Sequence, residues 1–138
     1  WVEAKDYHTK EHLVNIPPLV INNEVQFSLS KFKKFNAIIG NKFVNKQNLF
    51  PNNNSITSVI ESGKKIDKIV DISTPPDGYN LFNLNFNWGP YNFVSSNIYF
   101  SLSIDNLMNK DYRNYLNRLR FYSDEVGRNV LFQIKIKH

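Results

Sequence analysis

The sequence predicts an all-β fold, an antiparallel transmembrane β-barrel of which this chain supplies only five or six strands. Three observations carry this. Residues 97–105 and 129–137 alternate strictly between apolar and polar side chains, a period of two that only a strand can use. The polar sides of those strands are very wet and include Lys135 and Lys137. An unpaired lysine on the inner face of a soluble sandwich is costly to bury, whereas on a face lining a water-filled lumen it costs little while the apolar face meets lipid. Finally, long and short connections alternate along the chain.

Taken in order, residues 7–15 are polar and read as a loop, punctuated by Pro17 and Pro18. Leu19, Ile21, Val25, Phe27 and Leu29 alternate with Asn22, Glu24, Gln26 and Ser28, with Asn23 intruding on the apolar side. Residues 30–34 form a short connection. Phe35, Ala37, Ile39 and Phe43 then alternate with Asn36, Gly40, Lys42 and Lys46. Residues 47–78 are long and polar, broken by proline clusters, with enough apolar residues at 56–72 for a hairpin or a helical turn. Phe82, Leu84, Phe86 and Trp88 alternate with Leu81, Asn83, Asn85 and Asn87, and Gly89-Pro90 is expected to end that strand. In the final third, Ile98, Phe100, Leu102 and Ile104 share one face, and Val130, Phe132, Ile134 and Ile136 another. All seven lipid-side positions from Ile98 to Ile136 other than Val130 are expected to face the bilayer.

Barrels of the outer membrane have short periplasmic turns and longer extracellular loops. Counting back from the end, the connections at 106–126, 47–78 and 7–16 fall on one side, read as extracellular. Those at 89–96 and 30–34 fall on the other, read as periplasmic. Trp88, Tyr91, Phe93 and Tyr99 cluster at the periplasmic end and read as part of an aromatic girdle.

Composition sets bounds. The 138 residues carry a formal net charge of +5, and 41% are hydrophobic, so the chain is not disordered in bulk. The absence of cysteine excludes disulfides and thiolate metal sites. No apolar run approaches the length of a transmembrane helix. The chain opens at Trp1 without an initiator Met, which favours a fragment of a longer polypeptide.

The run DNLMNKDYRNYLNRLRFYSDEVGRN at 105–129, followed by a terminal alternating strand, resembles the carboxyl end of TonB-dependent outer-membrane receptors. NIPP at 15–18 and PPDGYNLFNLNF at 75–86 resemble the same family in kind and order. Two departures are Met108, where the family usually has Phe, and His138, where an aromatic carboxyl terminus is usual. The resemblance implies a receptor for TonB-dependent uptake of a scarce nutrient, such as a siderophore, a vitamin or a glycan. It also implies an outer-membrane location, a plug domain and remaining barrel strands upstream of this chain, contact with TonB in the inner membrane through that upstream part, and room for a surface lipoprotein partner.

Candidate binding residues come from the long loop. Tyr112, Arg113, Tyr115, Arg118, Arg120 and Tyr122 interleave aromatic and basic groups that could hold an anionic substrate. The same spacing also puts Tyr112, Tyr115, Leu119 and Tyr122 on one side of a short helix, with the arginines paired to Asp111, Asp124 and Glu125. No recognised motif accompanies the run, so nucleic acid is not expected. His8 and His12 beside Asp6 and Glu11 would meet a metal together on a helix. The surrounding loop signals argue against that helix, and no metal or other cofactor is expected. No nucleophile–base pair or phosphate loop is readable, and no enzyme is expected. The alternative is a small soluble β-barrel or sandwich binding a hydrophobic ligand. It would turn the Phe and Ile faces inward and leave two open sheet edges.

Overall fold

The computed structural model describes residues 2–28, 34–51, 55–70 and 73–138. Its strands are β1 (Val20–Ser28), β2 (Phe35–Val44), β3 (Ser55–Glu61), β4 (Lys64–Val70), β5 (Tyr79–Phe93), β6 (Ser96–Asp105) and β7 (Asn129–Lys137). All pairings between them are antiparallel, and no α-helix occurs among the described residues. The chain divides into two compact units. One holds residues 20–44, 79–111 and 125–138, and the other holds 1–19, 45–78 and 112–124.

The first unit is a five-stranded sheet in the order β1-β2-β5-β6-β7, open at both edges. The register brings the alternating faces into line. Phe27, Ala37, Phe86, Leu102 and Phe132 lie side by side across all five strands, as do Val25, Ile39, Leu84, Ile104 and Val130. A one-residue slip anywhere would turn a whole strand's apolar set to the wrong side, so this agreement across four pairings specifies the register. The opposite face carries Asn36, Asn83, Asn85, Asn87, Ser101, Ser103 and Gln133, together with Lys135 and Lys137.

Among the described residues nothing covers the apolar face. Phe132, Ile134 and Ile136 are 57–60% exposed, and no large side chain among the described residues is fully buried. A soluble sandwich needs this face closed over a core, so the soluble alternative has no counterpart among the described residues. A wet, lumen-like polar face and a bare apolar face together make the wall of a transmembrane barrel.

The apolar face is bounded at both ends. Near the end of the long connections, Asn23 and Asn41 stand opposite each other on it, and the Asn41 amide donates to Asn80 Oδ1 at 2.5 Å. At the other end, rings crowd together: Phe35 lies 5.5 Å from Trp88, Phe86 5.9 Å from Trp88, and Tyr91 6.0 Å from Phe100. From Phe82 to Phe93 this outward apolar stretch of β5 is about 25–28 Å tall at a barrel strand's usual tilt. That is the height of a bilayer's apolar band.

Two expectations need correction. Gly89-Pro90 does not end β5, which runs on to Phe93 through a bulge between Trp88 and Tyr91. Proline lacks an N–H for the ladder, but at a bulge no ladder bond is asked of it. Gly89, at φ 111°, donates its own N–H to the Lys34 carbonyl at 2.8 Å, and pairing resumes at Tyr91 with Ile98. The expected connection at 89–96 therefore shrinks to Val94 and Ser95. The second correction concerns Tyr99. It alternates with Ile98 and Phe100 and so lies on the polar face, leaving Trp88, Tyr91 and Phe93 as the aromatic rim of the apolar one.

The connections sort as expected by sheet end. Residues 45–78 and 106–128 leave from one end, and the two-residue β5–β6 turn from the other. Most of the 30–34 connection and Leu29 lie outside the described residues. In the second unit, residues 55–70 form a hairpin of β3 and β4, the hairpin alternative expected within 56–72, while 71–72 lie outside the described residues; its turn places Ser62 and Gly63 at positive φ. Positive φ at both central residues is what a type I′ two-residue hairpin turn requires.

Candidate functional site

The loop between β6 and β7 is tied down at its start. Asn106, only 3% exposed, takes the left-handed conformation at φ 50°, which asparagine tolerates better than most residues. Its side chain closes a ring, donating to the Lys110 carbonyl at 2.9 Å and accepting the Lys110 amide at 2.8 Å. Its own amide donates to Asn83 Oδ1 at 3.0 Å, and the Leu107 amide to the Phe82 carbonyl at 2.7 Å. The resemblance-bearing segments at 79–86 and 105–110 thus meet in one hydrogen-bonded corner.

The candidate binding residues lie further along, in the second unit. The helical piece is only a four-residue 3-10 turn, Arg118–Phe121, capped by Asn117, whose side chain accepts the Leu119 amide at 2.9 Å. A single helix face therefore does not unite Tyr112, Tyr115, Leu119 and Tyr122. Tyr115 is buried, with the Arg120 guanidinium 4.5 Å above its ring and donating to its carbonyl. That guanidinium also lies 4.5 Å from the Phe121 ring, and its Nε is buried without a hydrogen-bond partner. Held against both rings, Arg120 has donor capacity left over.

Tyr115, Arg118, Arg120 and Phe121 form one wall of a cleft of about 290 Å³, completed by Val14, Asn15, Pro51 and Ser73. It pairs guanidinium groups with an apolar lining, a combination suited to an anion that carries an apolar body. Arg113, Tyr112 and Tyr122 do not line it. Arg113 pairs with Asp124 at 2.5 Å and donates to the Arg120 carbonyl at 3.0 Å, which braces the arginine loop from outside the cleft. Tyr122 is 84% exposed. The sequence pattern missed the other wall, because Val14, Asn15, Pro51 and Ser73 come from segments far apart in the chain. The only sequence signal nearby was the NIPP run, to which Asn15 belongs.

The histidine segment forms a loop. Asp6 Oδ1 accepts the amides of His8 at 2.8 Å and Thr9 at 2.7 Å, and these bonds, that of Thr9 first, hold its carboxyl below the usual aspartate range. Lys5 and His12 form an isolated bridge. His8 and His12 are thus not on a helix face. Among the described residues no group of three or more His, Asp or Glu is placed to hold a metal ion.

Neither a family model nor a curated protein matches the sequence. Among solved structures, the fold is similar to that of the copper transporter OprC, with a TM-score of 0.65 at 21% identity. The match covers 96% of this chain and 19% of that one, so the chain spans about a fifth of the transporter's length. That protein is a transporter by its name. The likeness and the two-faced sheet agree on the architecture: the chain is all-β and antiparallel, with the fold of a section of outer-membrane β-barrel wall.

Proposed function

We propose that this chain is the carboxyl-terminal part of the barrel of an outer-membrane receptor that imports a scarce nutrient, a siderophore, vitamin or glycan, in a TonB-dependent manner. The observation that carries the barrel-wall part is the sheet whose apolar face has no described residue over it while its polar face is rich in asparagine and lysine. In water such a face would be a large aggregation-prone patch, and in a bilayer it is at equilibrium. TonB dependence and the nutrient class are supported by the motif resemblance at 15–18, 75–86 and 105–129. On this reading the remaining strands and a plug domain belong upstream, TonB is engaged through that upstream part, and a surface lipoprotein is an accessory partner. No nucleic acid is involved.

The long connections are extracellular on this reading, and the loop bearing Tyr112, Arg113, Tyr115, Arg118, Arg120 and Tyr122 contacts the ligand. Arg118 and Arg120 supply charge to the cleft, Tyr115 fixes Arg120, and Arg113 braces the loop through Asp124. The action is binding and gated passage, with no bond chemistry.

Membrane topology tests the proposal, helped by the chain's lack of cysteine. In cells making the full-length protein, cysteine introduced at Leu116 reacts with an impermeant maleimide, whereas cysteine at Ser95 reacts only after lysis. The reverse pattern overturns the orientation, and labelling of neither site before or after lysis overturns the barrel.

A further inference from the structure

Carboxylates are absent from the turn end of the sheet. Its five strands hold only two carboxylates, Glu24 in mid-strand on β1 and Asp105 where β6 leaves for its long connection. None of the 12 acidic residues of the sequence falls in 25–60, 78–104 or 126–138. These segments contain the whole turn end of the sheet. Among the described residues that end instead carries Lys34, Lys135 and Lys137.

Lys34 has a particular setting. Its ammonium sits 5.1 Å over the ring of Tyr91, and its carbonyl is fixed by the Gly89 amide at 2.8 Å. Tyr91 stands on the apolar face beside Phe100, next to the Trp88 end of the ring cluster. No carboxylate among the described residues pairs with Lys34. An uncompensated cation thus sits at the aromatic rim where the apolar face ends. In a bilayer, aromatic rims lie at headgroup level, and the anions at that level are phosphates. Lys135 and Lys137, the latter 5.4 Å over the Tyr99 ring, lie on the polar face at the same end and add to its positive potential.

We infer that the turn end of the sheet binds an anionic phospholipid, with Lys34 contacting the headgroup phosphate and Tyr91 positioning the ammonium. This rests on the reading that the apolar face meets lipid. The adjoining aromatic rim and bare apolar face select a lipid over an acidic polypeptide, which would have no use for the neighbouring acyl-sized surface.

Native mass spectrometry of the full-length protein, freed from detergent after equilibration with equal phosphatidylglycerol and phosphatidylcholine, tests the inference. Phosphatidylglycerol adducts should predominate and fall about fivefold in Lys34→Gln, the worth of one lysine near an anionic surface. Lys34→Arg should retain them, Tyr91→Leu should lower them, and Lys110→Gln at the opposite end should leave them unchanged. Unaltered heat-dependent gel mobility would show that the variants are folded. Lipid adducts of both kinds without preference, or a preference indifferent to Lys34→Gln, overturn the inference and leave the bilayer reading standing. Retention of neither lipid overturns both. Loss of polyglutamate binding in Lys34→Gln with the lipid preference intact also overturns it, in favour of an acidic protein partner.

Discussion

The side-chain oxygen of Asn109 accepts the backbone N–H of Arg128 at 2.8 Å, and it lies 2.9 Å from where a Cβ on Gly127 would sit. The two ends of a long loop are thereby clipped together just before β7 begins. A side chain at Gly127 would meet that oxygen and push the clip open. Arg128 contributes its amide to the clip, so Arg128→Ala is expected to leave assembly and ligand affinity unchanged, with a stability change within about 0.5 kcal/mol. Asn109→Ala removes the bond and places alanine at φ 50°, and should cost about 2 kcal/mol. Urea unfolding of the full-length protein in detergent checks both.

Phe132 stands near mid-height on the bare apolar face, on the edge strand β7, paired with Leu102. Phe132→Arg should destabilise the barrel by roughly 2–4 kcal/mol, the cost of a charge at the bilayer midplane. Gln133→Arg, one residue on and facing the other way, should be nearly neutral. Equal effects of the two substitutions in unfolding from lipid vesicles would contradict the assignment of faces.

Gly89 is the backbone requirement of the β5 bulge. At φ 111° an added Cβ would lie 2.6 Å from the Ile98 carbonyl oxygen and 3.2 Å from Tyr99 Cα. Both obstacles are backbone and cannot swing aside. Gly89→Ala is expected to cost at least 1–3 kcal/mol, on the order of other forced backbone outliers, read as a lowered melting temperature.

Arg118 and Arg113 should separate by function. Arg118 lines the cleft, and Arg118→Ala should weaken ligand uptake by about 1.5–3 kcal/mol, the worth of a hydrogen bond to a charged group. Arg113 forms an exposed pair with Asp124, and its loss should cost no more than about 1 kcal/mol of stability. Concentration dependence of uptake by whole cells distinguishes a raised half-saturation from a lowered capacity.

The 138 residues expressed alone should not form a compact, protease-resistant species in detergent. The outer edges of β1 and β7 are unpaired in the sheet, and in lipid each unsatisfied N–H or C=O costs several kcal/mol. Limited proteolysis, with and without the upstream barrel sequence, is the measurement.

The sequence by itself determined which side of each strand is apolar. Ile98, Phe100, Leu102 and Ile104 announce their face through alternation alone, since the period of two is a property of the local backbone. It also determined the order of long and short connections, and hence the sorting of loops by sheet end. Tertiary structure decided what alternation cannot encode. That Asn41 meets Asn80, that Asn83 caps Asn106, and that Asn109 occupies the space Gly127 leaves are all contacts between distant residues. Pro90 read as a strand end because its missing N–H is a local defect, yet the flanking ladder to β6 carried β5 past it as a bulge. The cleft beside Arg120 is assembled from Val14, Pro51 and Ser73 as well as the arginine loop. Residues brought together from separate segments share no spacing, so nothing periodic in the chain marks them, and only the folded backbone makes them neighbours.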